Sequence, residues 1–241
     1  MCIGEDPDDP VFCVTDLLPH LANKQMEQKL SEAISGENLQ ILFGSEPVGD
    51  PEAKDRIKRP LLELLHRRYG VREEDFLSAE LSLVPAMECR EVGLDRSLLG
   101  AYGHDDRVCA YAGLEALWET EQPEHTVICM LADKEEIGSV GVSGMQSRFF
   151  DFFLADLCGG DGDIYRRCLS ASLCLSADVC NAFDPLYADV SDPHNSARLN
   201  HGVAVCKYTG SRGKSGASDA SAETLARFRA IFDGAGVAWQ L

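Results

Sequence analysis

The chain of 241 residues carries 40 acidic against 22 basic side chains, which gives a formal net charge of −18. This charge argues against nucleic acid and anionic membrane surfaces as partners, because both repel an acidic protein. The acidic N-terminus is unlike a secretory signal, and no apolar run is long enough to span a bilayer. The ten cysteines stand singly, without a Cys-x-x-Cys pair, and indicate reduced thiols. We therefore expect a cytoplasmic protein.

The first part of the chain, residues 1–95, predicts one domain that mixes helices and strands. Residues 21–34 have the apolar spacing of an amphipathic helix, and a second helix is predicted over residues 55–68. A short strand is predicted at residues 39–43. Residues 76–84 alternate between apolar and polar side chains, which is typical of a half-buried strand.

The second part, residues 96–241, predicts a domain in which helices and strands alternate. A polar cluster after Gly103 opens a helix, and apolar runs at 126–131 and 174–178 are typical of buried strands. A last helix is predicted over 219–232, before two nearby glycines. This alternation favours a βαβ-type sheet flanked by helices, so the fold class is α/β.

Acidic residues follow the predicted strand at 126–131. Asp133, Glu135 and Glu136 come directly after it and are followed by Gly138. In open α/β sheets, ligands bind outside the carboxyl ends of such strands. One glutamate could hold a divalent cation while its neighbour takes a proton from water. An ordinary charged surface loop is the alternative.

Two other acidic segments have similarly open interpretations. Asp105 or Asp106 could accept hydrogen bonds from the free amides of a helix start, so capping alone would account for them. Asp178 ends the predicted strand at 174–178, and an acidic residue at the end of a strand commonly belongs to a turn.

The residues of these segments and their order along the chain resemble those of a known family. The matching stretches are residues 4–12, 15–22, 100–107, 133–139, 176–179 and 202–211. Together they look like an M18-type aspartyl aminopeptidase, a dinuclear zinc exopeptidase, and most resemble the bacterial branch of that family. The resemblance implies an incomplete zinc-exopeptidase α/β sandwich over residues 96–241. It also implies part of an inserted, β-rich dimerisation domain over residues 1–95.

The resemblance further implies roles for individual acidic residues. Asp105 would bridge two metal ions, Glu136 would ligate one of them, and Asp178 would ligate the other. Glu135 would be the general base that takes a proton from a metal-activated water. The implied cofactor is zinc, although manganese or cobalt would accept much the same ligands.

Two further residues are implied at the substrate site. Lys207 stands where the family has a lysine near the substrate, with an exposed strand-end charge as the alternative. His20 would correspond to a histidine that the dimerisation domain lends to a neighbouring active site. Packing at a subunit contact is the other interpretation of His20.

The sequence departs from the family at two metal ligands. Family members carry an early His-x-Asp segment and a late histidine, and neither is found among the six histidines of this chain. The resemblance as a whole implies a metal-dependent aminopeptidase that releases N-terminal, acidic residues from peptide substrates. It also implies a homo-oligomer built from dimers. The alternative is a catalytically inactive fragment or interaction subunit of the same family.

A Gly-Lys-Ser triplet in residues 209–216 superficially suggests a phosphate-binding loop. Its upstream glycine, Gly210, lies two residues too near for that motif. The spacing therefore argues against nucleotide binding.

Overall fold

The computed structural model describes residues 1–208 and 219–241 of the chain. The chain divides into two compact units, Met1–Tyr102 and Gly103–Leu241. Both contain helices and strands, so the predicted mixture of α and β structure is confirmed. The assignment of the first 95 residues to dimerisation stays a prediction. The stretch with the Gly-Lys-Ser triplet, residues 209–216, lies outside the described residues.

The first unit is built from three helices and two small antiparallel pairs of strands. Its elements are β1 (Cys13–Val14), α1 (Asn23–Met26), α2 (Leu30–Ala33), β2 (Ile41–Leu42), α3 (Lys58–Tyr69), β3 (Arg90–Val92) and β4 (Leu98–Gly100). Strand β1 pairs with β2, and β3 pairs with β4. The predicted helix at residues 55–68 is confirmed by α3. It ends where Gly70 adopts φ 72° and its amide donates to the carbonyl of His66 at 2.9 Å.

Two predictions for this unit are wrong. The helix predicted over residues 21–34 is two four-residue helices, α1 and α2, separated by Lys29 in an extended conformation. Most of its large apolar side chains are exposed, Leu30 to 90%, and short helices with little packing are marginal. The strand predicted over 76–84 begins instead in a 3-10 helix, Glu73–Leu77, and continues without regular structure.

The second unit contains four helices and one parallel pair of strands among its described residues. Its elements are α4 (His104–Glu119), α5 (Phe149–Leu157), α6 (Gly162–Ala171), β5 (Val203–Ala204), α7 (Ala222–Ala235) and β6 (Trp239–Gln240). Strand β5 pairs with β6. The predicted last helix is confirmed by α7, which starts where the Ser221 hydroxyl accepts from the amide of Thr224 at 3.1 Å.

The strands predicted at 126–131 and 174–178 are not formed in the described residues. A strand requires a hydrogen-bonded neighbour, and neither segment has one within the described ranges. Isolated bridges, such as the parallel contact of Asp133 with Gly144, stand near them instead. Among the described residues of the second unit, the predicted βαβ-type sheet is therefore reduced to one parallel pair, β5 with β6.

Little apolar surface is buried in either unit. The accessible surface totals 20483 Å², against about 11,000 Å² for a compact folded monomer of this mass. Among the described residues, the buried apolar side chains are Ala22, Leu65 and Leu154. In the second unit, α5 contacts α6, and the Tyr165 hydroxyl of α6 donates to Asp151 of α5 at 3.0 Å. No described helix is both long and apolar enough to cross a bilayer.

Candidate metal centre

Two adjacent carboxylates stand at the beginning of α4. Gly103 precedes them with φ 82°, and the peptide bond between Asp105 and Asp106 is cis. Both aspartates have backbone angles outside the helical region, with ψ of 110° and 32°. Neither carboxylate accepts a bond from a first-turn amide among the hydrogen bonds of the described residues. The capping interpretation therefore does not account for these acidic residues.

The structure brings Asp105, Asp106 and Asp178 together. One carboxylate oxygen from each lies within 4.8 Å of the other two. The Asp178 carboxylate also accepts a bond from the amide of Val179 at 2.7 Å, which orients it. Asp105 and Asp178 are exposed, whereas Asp106 is partly buried. These three residues form the acidic cluster, which contains two of the three predicted metal ligands.

Glu136, the third predicted ligand, lies against this cluster. A hydrogen bond with Asp105, followed by the negative charges of Asp105 and Glu135, raises the pKa of Glu136 above its usual value. The two glutamates occupy a 3-10 helix, Glu135–Ile137. Left-handed residues stand on both sides of it, and the Gly138 amide donates to the carbonyl of Glu135 at 2.9 Å. This tight turn holds Glu135 and Glu136 side by side in one short 3-10 helix.

The arrangement fits a divalent cation. Several carboxylates at one place repel each other unless a cation or protons offset their charge. In addition, Oδ1 of Asp106 is buried and has no hydrogen-bond partner among the described residues. Carboxylate oxygens are acceptable ligands for zinc, manganese and cobalt, and sets made of oxygen alone favour harder cations. Within the described residues, no histidine joins the group.

Asp106 was missed as part of the site by the sequence analysis, which considered it only for capping. The sequence feature that could have indicated it is the pair of adjacent aspartates, Asp105 and Asp106. Its neighbour one turn along, Cys109, is not a ready thiolate ligand. Burial and then the Asp106 carboxylate raise the pKa of the Cys109 thiol to about 11, so the thiol stays protonated at neutral pH.

Lys207 is engaged within its own unit. Its ammonium donates to Asp219 at 2.7 Å and to the carbonyl of Ala220 at 2.8 Å, and it lies 4.9 Å from the centre of the Tyr208 ring. The bond to Asp219 raises the pKa of Lys207. The cation is therefore held in place, and its predicted contact with substrate stays a prediction.

His20, the second predicted substrate residue, lies in the first unit. It is exposed in a 3-10 helix, Pro19–Leu21. Its predicted role at a neighbouring active site stays a prediction.

The raised pKa of Glu136 predicts how the stability of the metal-free chain depends on pH. A carboxyl whose pKa is higher in the folded state contributes stability that is fully present below its unfolded pKa and is lost as pH rises through the folded value. We expect thermal melts in EDTA to show a lower melting temperature as pH rises from 4.5. Glu136→Gln should remove part of that decrease.

Asp133→Asn is the matched control for this measurement. Hydrogen bonds from the amide of Lys134 and the hydroxyl of Ser143 lower the pKa of Asp133. The contribution of Asp133 to stability is therefore lost only as pH falls below the usual pKa of an aspartate. Above pH 4.5, Asp133→Asn should keep the wild-type dependence of melting temperature on pH. An identical slope for Glu136→Gln and the wild type would contradict the role given to Glu136.

Comparisons with known proteins show what the chain is similar to. A family model described as aminopeptidase I zinc metalloprotease (M18) matches residues 3–241. A probable M18 family aminopeptidase 1 from Clostridium acetobutylicum is 48% identical over 244 residues, which include 100% of this chain and 52% of the relative.

Solved structures give the same result. The crystal structure of an M18 family aminopeptidase from Thermotoga maritima matches 99% of this chain and 53% of its own, with 45% identity and a TM-score of 0.88. The crystal structure of aminopeptidase I from Clostridium acetobutylicum has a TM-score of 0.87, covering 100% of this chain and 52% of its own. The chain spans about half the length of the curated relatives it matches. The resemblance inferred from sequence is confirmed, and the chain belongs to the M18 family of zinc metallopeptidases.

Proposed function

We propose that this chain carries the metal centre and the general base of an aminopeptidase that removes N-terminal residues from peptides. The observation that carries this proposal is the convergence of Asp105, Asp178 and Glu136 in a chain matched by the M18 model over residues 3–241. These acidic residues are distant in sequence, and carboxylates gathered without a cation repel each other.

Each acidic residue would have a defined part in the reaction. Asp105 would bridge two cations, with Glu136 holding one and Asp178 the other. Bound zinc supplies a Lewis acid for the scissile carbonyl and makes water more acidic. Glu135 would accept the proton of the attacking water and deliver it to the leaving amine, which becomes the new N-terminus of the shortened peptide. Manganese or cobalt would serve the same carboxylates.

Lys207 would recognise acidic substrates. Its ammonium is protonated and already oriented by Asp219 and Ala220. A cation fixed in this way favours a carboxylate on the N-terminal residue of the peptide over a neutral side chain. His20 would complete the substrate site of a neighbouring subunit.

The proposal extends to assembly and location. The first unit would belong to an inserted dimerisation domain, and the second to the α/β sandwich of a zinc exopeptidase. The working enzyme would be a homo-oligomer built from dimers. All ten cysteines, which lie within the described residues, are free thiols. Free thiols agree with a cytoplasmic location, where cysteines remain reduced.

The test is a metal titration combined with a peptidase assay. The chain is stripped with a chelator, dialysed, and titrated separately with zinc, manganese and cobalt. We expect close to two tightly held ions per chain. We also expect hydrolysis only when metal is present, and faster hydrolysis of aspartyl and glutamyl substrates than of alanyl ones.

Two results of this titration would change the proposal. Much less than one ion per chain would refute the metal centre. Full metal binding without hydrolysis would favour the inactive interaction subunit, an alternative supported by the oxygen-only set of ligands. Catalytic groups that act as a unit are strongly non-additive, so absent histidines have a large effect on rate.

A further inference from the structure

We infer that Asp106 is an additional metal-facing donor of this centre, with its Oδ1 directed at the cation that Asp105 and Asp178 hold. The inference rests on the proposed metal centre and adds a residue to which neither the sequence nor the family resemblance gave a metal-binding role. It concerns binding of the ion rather than the later transfer of a proton.

The first argument is the hydrogen bonding of the Asp106 carboxylate. Its Oδ1 is buried from solvent and accepts no hydrogen bond within the described part of the chain. Asp178 differs, because its Oδ1 accepts from the amide of Val179 at 2.7 Å. Burial of a charged oxygen without a partner is strongly unfavourable, and native proteins compensate it with a proton, an opposite charge or a metal ion.

The second argument is distance. A carboxylate oxygen of Asp106 lies within 4.8 Å of oxygens from both Asp105 and Asp178. Two oxygens on opposite sides of one cation, each at about 2.0–2.5 Å from it, are at most about 5 Å apart. The three oxygens therefore lie close to the spacing that the ligands of a single cation have.

The backbone accounts for how neighbouring residues reach the same ion. In a regular helix, consecutive side chains point in different directions and do not face each other. Asp105 and Asp106 have φ/ψ values of −88°/110° and −115°/32°, so they are not part of the regular helix that follows. Their carboxylates can thus converge on one point, which an aspartate pair inside α4 could not do.

Cys109 is the competing partner for Asp106. Its thiol lies beside the Asp106 carboxylate, and a thiol is a weak hydrogen-bond donor. If the only role of the Asp106 carboxylate were to contact the Cys109 thiol, Asp106 would stabilise the fold and would not bind metal. Removing the thiol must then have the same effect as removing the acid.

The experiment measures ion binding by the full chain rather than peptidase activity. Manganese is titrated into the chelator-stripped protein and followed by the loss of the free-ion signal in electron paramagnetic resonance. The variants are Asp106→Asn, Cys109→Ala and the control Asp156→Asn, which removes an exposed carboxylate on α5. Thermal melts in EDTA check that each variant folds.

We expect Asp106→Asn to weaken binding of one ion by about tenfold or more, since changes around metal ligands typically lower affinity 10–100-fold. The same variant should melt in EDTA no lower than the wild type, because the amide removes an unpaired charge. Asp156→Asn and Cys109→Ala should bind as the wild type does. Asp106→Ser, which keeps a small polar side chain, should repeat the loss of affinity.

The inference is overturned if Asp106→Asn binds manganese as tightly as the wild type, or if Cys109→Ala weakens binding equally. In both cases the wild-type chain still binds manganese, so the proposed metal centre stands and only the role of Asp106 is refuted. Failure of the wild-type chain itself to bind any ion would overturn both proposals together.

Discussion

Replacement of Glu135 by glutamine is expected to lower the aminopeptidase rate by about 10²–10⁴-fold, the usual contribution of a general base. The amide has nearly the shape of the carboxylate but cannot accept the proton of the attacking water. Metal binding should persist, because the proposed role of Glu135 is to take up a proton, whereas Glu136 is the proposed ligand of the cation. The measurement compares kcat for a glutamyl substrate with the number of ions bound per chain.

Glu136→Gln is the matched control for Glu135→Gln. The two residues are adjacent in one 3-10 helix, and the substitutions make the same change of charge. Glu136 lies close enough to Asp105 for that carboxylate to raise its pKa, and it is the proposed metal ligand, so its substitution should reduce both metal binding and activity. Equal loss of metal binding and activity in Glu135→Gln would mean that the roles of the two glutamates are assigned wrongly.

Leu154→Ala is expected to lower the free energy of unfolding of the second unit by about 2–3 kcal/mol, within the range found for buried leucines. Leu154 lies on α5, is 6% exposed, and is the buried apolar residue among the described residues of this unit. Few other side chains can take over its contacts. A loss of this size is a large share of the stability of an ordinary domain.

Leu157→Ala is the control for this prediction. It removes the same atoms from the same helix, but Leu157 is 58% exposed. Substitutions at exposed sites usually change stability by about 0.5 kcal/mol or less. Urea unfolding in EDTA should be used, because metal bound to the folded state would add its own stabilisation. Equal effects at the two positions would mean that Leu154 is not a core residue.

Local signals explain which elements were predictable from the sequence. Helices α3 and α7 were predicted because their periodicity and their terminal glycines lie within the same short segment. The apolar runs at 126–131 and 174–178 were predicted as strands, but a strand depends on a neighbour that its own residues do not specify. No such neighbour is present among the described residues.

The residues of the candidate site were chosen from a different kind of signal. Asp105, Glu136 and Asp178 were selected because acidic residues beside apolar segments resemble a family pattern, and the structure places the three together. Asp106 was missed because its involvement depends on backbone angles at the beginning of α4. Those angles follow from the surrounding structure, and the residue types alone are equally compatible with a capped helix.

The contacts around Lys207 also have a practical consequence for engineering the chain. Lys207 and Tyr208 are joined to Asp219 and Ala220 by an ion pair, a backbone hydrogen bond at 2.9 Å and an antiparallel bridge. These contacts hold residues 207–208 and 219–220 next to each other. A fluorophore attached at position 220 would therefore lie next to Lys207 and report on changes around its ammonium.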